Sequence, residues 1–400
     1  MSVTADDLVA ATQRLRARPA DYGAWLEVAA ILDALGERDD AEAAFAAICE
    51  GARAGGKVAL AVACARHLAK SGSERGPELA DEIVETYATG GPHFTFTAPP
   101  APDEPPAAPA ATGTAVEQAR ALVAHLGQWL AARRPPKVPP APLLSALGKP
   151  GARALIGVMT ARAYPAGATI IDTGEPATAL YWLAHGTASV SRDKSELGEL
   201  HSGAFFGEIA LVGGTMRTAR VTAREDVWVL EIPARAVEKA AQKHPQLAEV
   251  LAFHARARLL SNLTRTSELF RALGDADRDE LLAKFSTELV PAGETFIHEG
   301  EKNEHLWVVV AGKCEVRAAG GTVAELGPGA AVGEISLVSG ATAVADVIAV
   351  EPAVLLCLAK QDFDVVAKRH PKLLAEVEKL VVSREKQNRA LFQDASDLIV

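Results

Sequence analysis

One acidic and one basic side chain lie nine residues apart in the segment FGEIALVGGTMRTARV, residues 206–221. Glu208 can accept hydrogen bonds from sugar hydroxyls, and Arg217 offers a charged fork that suits a phosphate. The glycines and alanines near them let a ligand approach the backbone closely. If residues 208–212 form a helical turn, its free N–H groups also favour an anion. The segment therefore suits a ligand that carries both a sugar and a phosphate.

A second segment, VGEISLVSGATAVADV at residues 332–347, keeps the acid but lacks the base. Glu334 stands in the place of the first acid, whereas Ala343 replaces the arginine. Ala343 offers no charge to a phosphate, and we expect Asp346 to lie near where an anion would sit. We therefore expect the first segment to bind a ligand. The second would relay a signal, dimerise or bind something else, with Glu334 capping its turn.

Both segments belong to a long internal repeat. YPAGATIIDTGEPATALYWLAHG, residues 164–186, aligns with VPAGETFIHEGEKNEHLWVVVAG, residues 290–312, so the period is 290 − 164 = 126 residues. Each copy holds short runs of aromatic and β-branched residues, interrupted at the same place by Gly186 or Gly312. Many short strands with regular turns predict a β-sandwich or jelly-roll barrel in each copy. Helical sequence flanks both copies.

The sequence upstream of the repeat has a different character. Residues 1–92 are rich in alanine and glutamate and patterned as helices, and residues 24–48 resemble one tetratricopeptide helix pair. A generic helical bundle is the alternative. Residues 97–112 are a Pro/Ala linker, and one helix is expected near 114–133. We expect residues 1–112 to be dispensable for ligand binding. The expected divisions are a helical domain (1–92), a linker (93–142), and the two repeat domains (143–266 and 267–400).

Composition narrows the function classes. A length of 400 residues predicts two or three domains, and the net charge of −10 argues against a protein that coats nucleic acid. We find no apolar run long enough to span a membrane and no secretory signal, so we expect a cytosolic protein. None of the four cysteines forms a CxxC pair, so we expect reduced, buried thiols and no metal site. These cysteines are Cys49, Cys64, Cys314 and Cys357.

The segment at 206–221 resembles the phosphate-binding cassette of cyclic nucleotide-binding domains, in the form found in kinase regulatory subunits. The resemblance extends over residues 143–400. It implies an α+β multidomain protein, in which an N-terminal α-helical, tetratricopeptide-like region precedes two β jelly-roll barrels with flanking helices. Arg220 stands where that family commonly has a small hydroxyl residue. By the resemblance, sugar and phosphate are lined by Gly207, Glu208, Ile209 and Ala210, the phosphate is held by Arg217 and Thr218, and Ala219 completes the candidate site.

The resemblance implies a non-enzymatic cytosolic receptor for cAMP or cGMP, without a metal or another cofactor. The helix after the first barrel would close over the base, and the N-terminal helices would bind a protein partner. Only 400 − 371 = 29 residues follow Pro371, too few for a winged helix-turn-helix, so we expect no DNA partner. A ligand-independent scaffold and a kinase regulatory subunit are the alternatives. The basic segment 132–138 does not fit the family's inhibitory pattern, and homodimer formation stays open.

Overall fold

The computed structural model forms two compact units, Met1–Glu208 with Ala219–Leu251, and Ile209–Thr218 with Ala252–Val400. None of its described helices is both long and apolar enough to cross a membrane. The described residues are 3–91, 105, 107–110, 112–132, 141–192, 195–207, 216–217, 219–251, 284–318, 320–369, 371, 374–375, 377–379 and 381–384.

The first unit begins with helices that pack on one another in chain order, α1 on α2 through to α4 on α5, while α6 packs on α1 and α3. Their bounds are α1 Ala5–Ala17, α2 Tyr22–Ala34, α3 Arg38–Ala54, α4 Val58–Lys70, α5 Arg75–Tyr87, α6 Ala115–Ala132, α7 Pro142–Ser145 and α8 Lys149–Val158. The helical prediction for this region is confirmed. Its likeness to tetratricopeptide repeats stays a prediction.

The helix within the predicted linker is fixed to this helical region. Arg120 of α6 donates to both carboxylate oxygens of Asp40 in α3, at 2.7 and 2.8 Å. A bidentate pair of a guanidinium with a carboxylate fixes the relative orientation of the two helices and also stabilises their contact. Leu122, Val123 and Leu126 of α6 are also buried. The proline-rich sequence therefore leads into a helix that belongs to the helical core.

The first barrel follows, built from two four-stranded antiparallel sheets. Their orders are β1-β8-β3-β6 and β2-β7-β4-β5. A core of apolar side chains, which includes Ile171, Leu183 and Val229, is buried within the barrel. The strands are β1 Thr160–Tyr164, β2 Thr169–Ile171, β3 Ala179–His185, β4 Thr187–Arg192, β5 Ser195–His201, β6 Phe205–Phe206, β7 Arg220–Ala223 and β8 Val227–Pro233, and helix α9 Ala234–Ala241 follows.

The second barrel, in the other unit, repeats this topology. Its sheets run β9-β16-β11-β14 and β10-β15-β12-β13. Even the register is shared, since Thr169 pairs with Thr222 and Thr295 with Ile348, each followed by a bulge. The predicted duplication of a jelly-roll domain is confirmed. The strands are β9 Ser286–Val290, β10 Thr295–Ile297, β11 His305–Ala311, β12 Cys314–Ala318, β13 Gly321–Leu326, β14 Ala331–Val332, β15 Asp346–Ala349 and β16 Ala353–Ala359, with helices α10 Glu334–Ser339 and α11 Lys360–Arg369.

The recurring glycine between the third and fourth strands of each barrel has a steric cause. Gly186 and Gly312 both have a positive φ, 87° and 85°. A Cβ at Gly186 would lie 2.9 Å from the carbonyl oxygen of Asp226, and one at Gly312 would lie 2.4 Å from that of Pro352. Any side chain would meet the backbone here, so the turn requires glycine.

Within the first unit, helix α4 packs against the outer sheet of the barrel, on β1, β3 and β8. Phe45, His67 and Trp228 form an aromatic cluster there, with ring centroids 4.3 to 5.6 Å apart. Arg66 Nε donates to the Met159 carbonyl oxygen at 2.8 Å. These contacts argue against our expectation that the barrels fold and bind ligand without residues 1–112.

All four cysteines are free and buried, as expected. Burial raises the pKa of Cys49 to about 12 and that of Cys314 and Cys357 to about 11. The pKa of Cys64 is also raised by burial. Because the thiolate is the reactive form, these thiols are inert at neutral pH.

Candidate functional site

The first candidate segment joins β6 to β7, and aromatic packing fixes its start. Phe206 stacks on Tyr181 with centroids 5.3 Å apart, and Phe205 stacks on Trp182 at 4.7 Å. Trp182 also donates from Nε1 to the Gly203 carbonyl oxygen at 3.0 Å. Gly207 follows directly with a φ of 83°, a conformation that favours glycine. The chain therefore enters the segment at a defined position and direction.

Arg217 is 95% buried, with only 5% of its surface exposed. Arginine is almost never so buried unless its charge is compensated. Ala219 is half-buried just before β7. The other candidate residues lie outside the described residues, so their placement near Arg217 stays a prediction. They are Glu208, Ile209, Ala210 and Thr218.

Arg220, the second arginine of the segment, forms an ion pair on the outside of the barrel. Its Nε and Nη2 donate to the two carboxylate oxygens of Asp172, at 2.7 and 3.0 Å. This pairing lowers the pKa of Asp172 from its ordinary value. The guanidinium is exposed and fully engaged across the sheet from β7 to the end of β2. A long side chain is accommodated here because it points along the surface.

The matching segment of the second barrel does form the helical turn that the sequence suggested, as α10. Gly333 starts the turn with a φ of 87°, and a Cβ there would lie 2.4 Å from the His305 carbonyl oxygen. Only glycine allows this approach of α10 to the strand β11. The turn places Glu334 on the wall of a cavity of about 400 Å³.

Glu334 is 1% exposed, and its pKa is raised by burial, an effect that Arg384 partly offsets. Arg384 Nη1 donates to Glu334 Oε1 at 3.0 Å. We expected Glu334 only to cap its turn, and the ion pair with Arg384 corrects this. Arg384 lies in a helical segment 50 residues further along the chain, and no local motif marks it.

Two other expectations for the second segment have different outcomes. Ala343 lines the cavity, with its backbone fixed by bonds to Gly300 and Glu301 at 2.8 Å. Asp346 is not among the described residues of the cavity wall. Its Oδ1 instead accepts the Glu299 N–H at 2.7 Å. Asp346 itself is therefore not a described wall residue, although its neighbours Ala345 and Val347 are, and its nearness to a bound anion stays a prediction. The missing charge at Ala343 stands.

The comparisons with known proteins agree with this architecture. A family model described as the cyclic nucleotide-binding domain matches twice, at residues 161–244 and 287–370. The two matches stand in tandem, 287 − 161 = 126 residues apart, which is the period of the internal repeat. The first match includes the whole segment around Arg217, and the second includes Glu334 and Ala343.

Similar proteins include a protein kinase and a kinase regulatory subunit. The chain is 29% identical over 224 residues to a cGMP-dependent protein kinase of Caenorhabditis elegans, covering 54% of this chain and 26% of that protein. It is 23% identical over 215 residues to a cAMP-dependent protein kinase regulatory subunit of Candida albicans, covering 53% and 44%. The chain thus spans less than half of either relative's length.

A solved structure, the regulatory domain of Toxoplasma gondii PKA with cAMP, is 20% identical. The similarity covers 62% of this chain and 92% of that one, with a TM-score of 0.29. Within the described residues, no group of three or more His, Cys, Asp or Glu side chains could hold a metal ion. The site chemistry described above rests on carboxylate, guanidinium and backbone groups.

Proposed function

We propose that the first cyclic nucleotide-binding domain is a receptor site for cAMP or cGMP, and that the chain signals without catalysis through a protein partner. The observation that carries this proposal is the burial of Arg217, 95% out of solvent, in the segment that joins β6 to β7. A buried guanidinium on a segment whose sequence is rich in glycine suits a single phosphate diester. The family match over residues 161–244 supports the same ligand class.

Within the proposed site, Arg217 and Thr218 hold the cyclic phosphate, and Glu208 accepts from the ribose hydroxyl. Gly207, with its positive φ, lets the backbone come close to the ligand. Ile209, Ala210 and Ala219 complete the wall with small or apolar side chains. Thr218 gives the site a hydroxyl beside the phosphate, which is compatible with both cAMP and cGMP.

The proposed output runs through the helical region of the same unit. Helix α9 follows β8 directly, and its first N–H, that of Ala234, donates to the Thr178 carbonyl oxygen at 2.9 Å. Helix α4 packs on β8 from the outer side, where Trp228 contacts Phe45 and His67. A ligand that shifts β8 would therefore change the surface on which α4 packs. We propose that a cytosolic protein partner reads this change on the helical region.

A kinase catalytic subunit is the second candidate for the partner. The similarity to a regulatory subunit of Candida albicans over 53% of this chain favours it. The basic segment that precedes the first domain, residues 132–138, lies almost wholly outside the described residues. Co-purification of the chain with a cAMP-dependent kinase catalytic subunit, with and without cAMP, distinguishes this partner from others.

Calorimetry of the full chain with cAMP and with cGMP tests the proposed function. We expect one site per chain. At a ligand concentration 100 times the dissociation constant, the free energy of unfolding should rise by roughly 2.7 kcal/mol. Adenosine serves as the control that lacks the phosphate. If neither cyclic nucleotide gives heat or a shift in thermal unfolding, the proposed receptor function of the first barrel is wrong.

A further inference from the structure

The second barrel holds a formed cavity whose chemistry differs from that of a phosphate site. Its volume is about 400 Å³, within the range of roughly 300–1,000 Å³ that is typical of small-molecule sites. Most of its wall is apolar. Representative wall residues are Ile297, Val316, Leu326, Val332, Ala343 and Val347.

One polar group on this wall has an unused hydrogen-bonding atom. Glu334 is 1% exposed, and its Oε1 is taken by Arg384. Its Oε2 is buried and has no hydrogen-bond partner within the part of the chain that the structure describes. A buried carboxylate oxygen without a partner is unfavourable, so a ligand that donates to it would gain binding energy.

The charges around the cavity disfavour an anion. Ala343 supplies no cation where the first domain has Arg217. Arg384 is already paired with Glu334, and Glu325, a second carboxylate on the wall, is paired with Lys313 at 2.8 Å. A phosphate placed here would bring a charge for which the described wall residues hold no uncommitted cation. An uncharged molecule avoids that cost.

We propose that the second barrel binds an uncharged, mainly apolar small molecule of a few rings, which donates one N–H or O–H to Glu334 Oε2. Apolar contacts with the wall supply most of the affinity, and the single donor fixes the orientation. The proposal concerns the barrel that lacks the arginine, so it does not depend on nucleotide binding by the first domain.

A pair of fluorescent probes tests, on the full chain, whether the cavity binds an uncharged molecule and whether it disfavours an anion. N-phenylnaphthylamine is uncharged and carries one N–H donor. Anilinonaphthalene sulfonate has the same rings with an added anion. We expect saturable binding of the uncharged probe, and binding of the sulfonate that is weaker by at least about tenfold. Equal or tighter binding of the sulfonate would overturn the proposal.

Three substitutions assign the probe to this cavity. Ala343→Leu fills the cavity and should abolish binding of the uncharged probe. Glu334→Gln removes the charged acceptor and should weaken it by about tenfold or more. Glu288→Gln is the control, an exposed acid on β9 of the same barrel and not a described residue of the cavity wall, and should leave the affinity unchanged. Thermal unfolding checks that each variant is folded.

The outcomes remain decisive if one variant fails to fold. If Ala343→Leu is unfolded, the comparison of Glu334→Gln with Glu288→Gln decides alone. Probe binding that survives Glu334→Gln unchanged, or that weakens equally in both glutamine variants, contradicts the proposed donor to Oε2. Arg217→Ala should leave probe binding intact. Loss of probe binding in that variant would place the probe in the first domain and overturn the proposal.

Discussion

Replacement of Arg217 by alanine is the most direct perturbation of the first domain, because the same segment supplies a matched control. Arg217 is 5% exposed, whereas the side chain of Arg220 is 53% exposed and paired with Asp172. Both substitutions remove the same guanidinium, three residues apart. They differ in burial and in the role that we propose for the charge.

The expected magnitude follows from that burial. A bound phosphate that loses this arginine stays buried without that partner, at a cost of roughly 2–5 kcal/mol. This corresponds to a loss of about 30-fold to several-thousand-fold in affinity. Arg217→Lys keeps the charge but loses the planar fork, so we expect an intermediate loss. Arg220→Ala removes an exposed ion pair, which contributes little, and should leave the affinity unchanged.

The assay is calorimetric titration of cAMP and of cGMP into the wild type and the three variants, after thermal unfolding has shown that each is folded. The expected order of affinity is wild type equal to Arg220→Ala, then Arg217→Lys, then Arg217→Ala. A folded Arg217→Ala variant with wild-type affinity would refute the assignment of the phosphate site. An equal loss of affinity in the Arg220→Ala variant would also refute it, because the loss would then come from the change in net charge and not from a specific contact of Arg217.

Four further predictions concern Ala343, the N-terminal helices, Thr218 and His67. Ala343→Arg should leave the stoichiometry of cAMP at one per chain, because Glu334 and Glu325 remain on the cavity wall; a second site by calorimetry would contradict this. A chain that starts at residue 113 should unfold at lower temperature or aggregate, because it exposes the surface around Trp228 that α4 covers; an unchanged melting temperature would show the helices to be separable. Thr218→Ala should weaken the affinity for cGMP more than that for cAMP, by about 2- to 13-fold for one hydrogen bond of ~0.5–1.5 kcal/mol. Equal losses of affinity in competition binding would show that Thr218 contacts only the phosphate. Burial lowers the pKa of His67, so the unfolded chain binds a proton at this residue more readily than the folded chain does, and the stability that neutral His67 contributes should be lost as pH falls from about 6.5 through the lowered pKa. His67→Gln should flatten the slope of the free energy of unfolding against pH in this range. An identical slope in the variant would exclude His67 as its source.

The repeated barrels could be predicted from sequence because their signals are local. Short aromatic and β-branched runs predict strands, and a turn that would bring any Cβ to within 3 Å of backbone must be glycine, as at Gly186 and Gly312. The acid-to-arginine spacing likewise lies within one short loop. The burial of Arg217 agrees with that interpretation, although the loop between Gly207 and Arg217 is only described at its ends.

The packing of the helices on the first barrel could not be predicted from spacing alone, but the sequence does hold a signal for it. Strand β8 begins with four buried residues in succession, Val227 to Leu230, rather than alternating. A continuous apolar strand is buried on both faces, so something must cover the outer one. Strand β16 of the second barrel has six buried residues in succession, and there Phe363 and Val366 of α11 share its core. The pattern predicts that another element covers the strand, but it does not identify that element. Helix α4 precedes β8 in the chain, whereas α11 follows β16.

Arg384 was missed for a related reason, and its position explains how the second domain tolerates the loss of its arginine. A carboxylate that is 1% exposed, as at Glu334, requires a nearby cation or a strongly raised pKa. Ala343 cannot supply that charge, and Arg384 supplies it from 50 residues away, at 3.0 Å. The wall is thus charge-balanced before any ligand binds, since Glu325 also has its own partner in Lys313. An incoming phosphate would therefore disturb an existing balance, whereas an uncharged donor would complete the one oxygen, Glu334 Oε2, that the described residues leave unsatisfied.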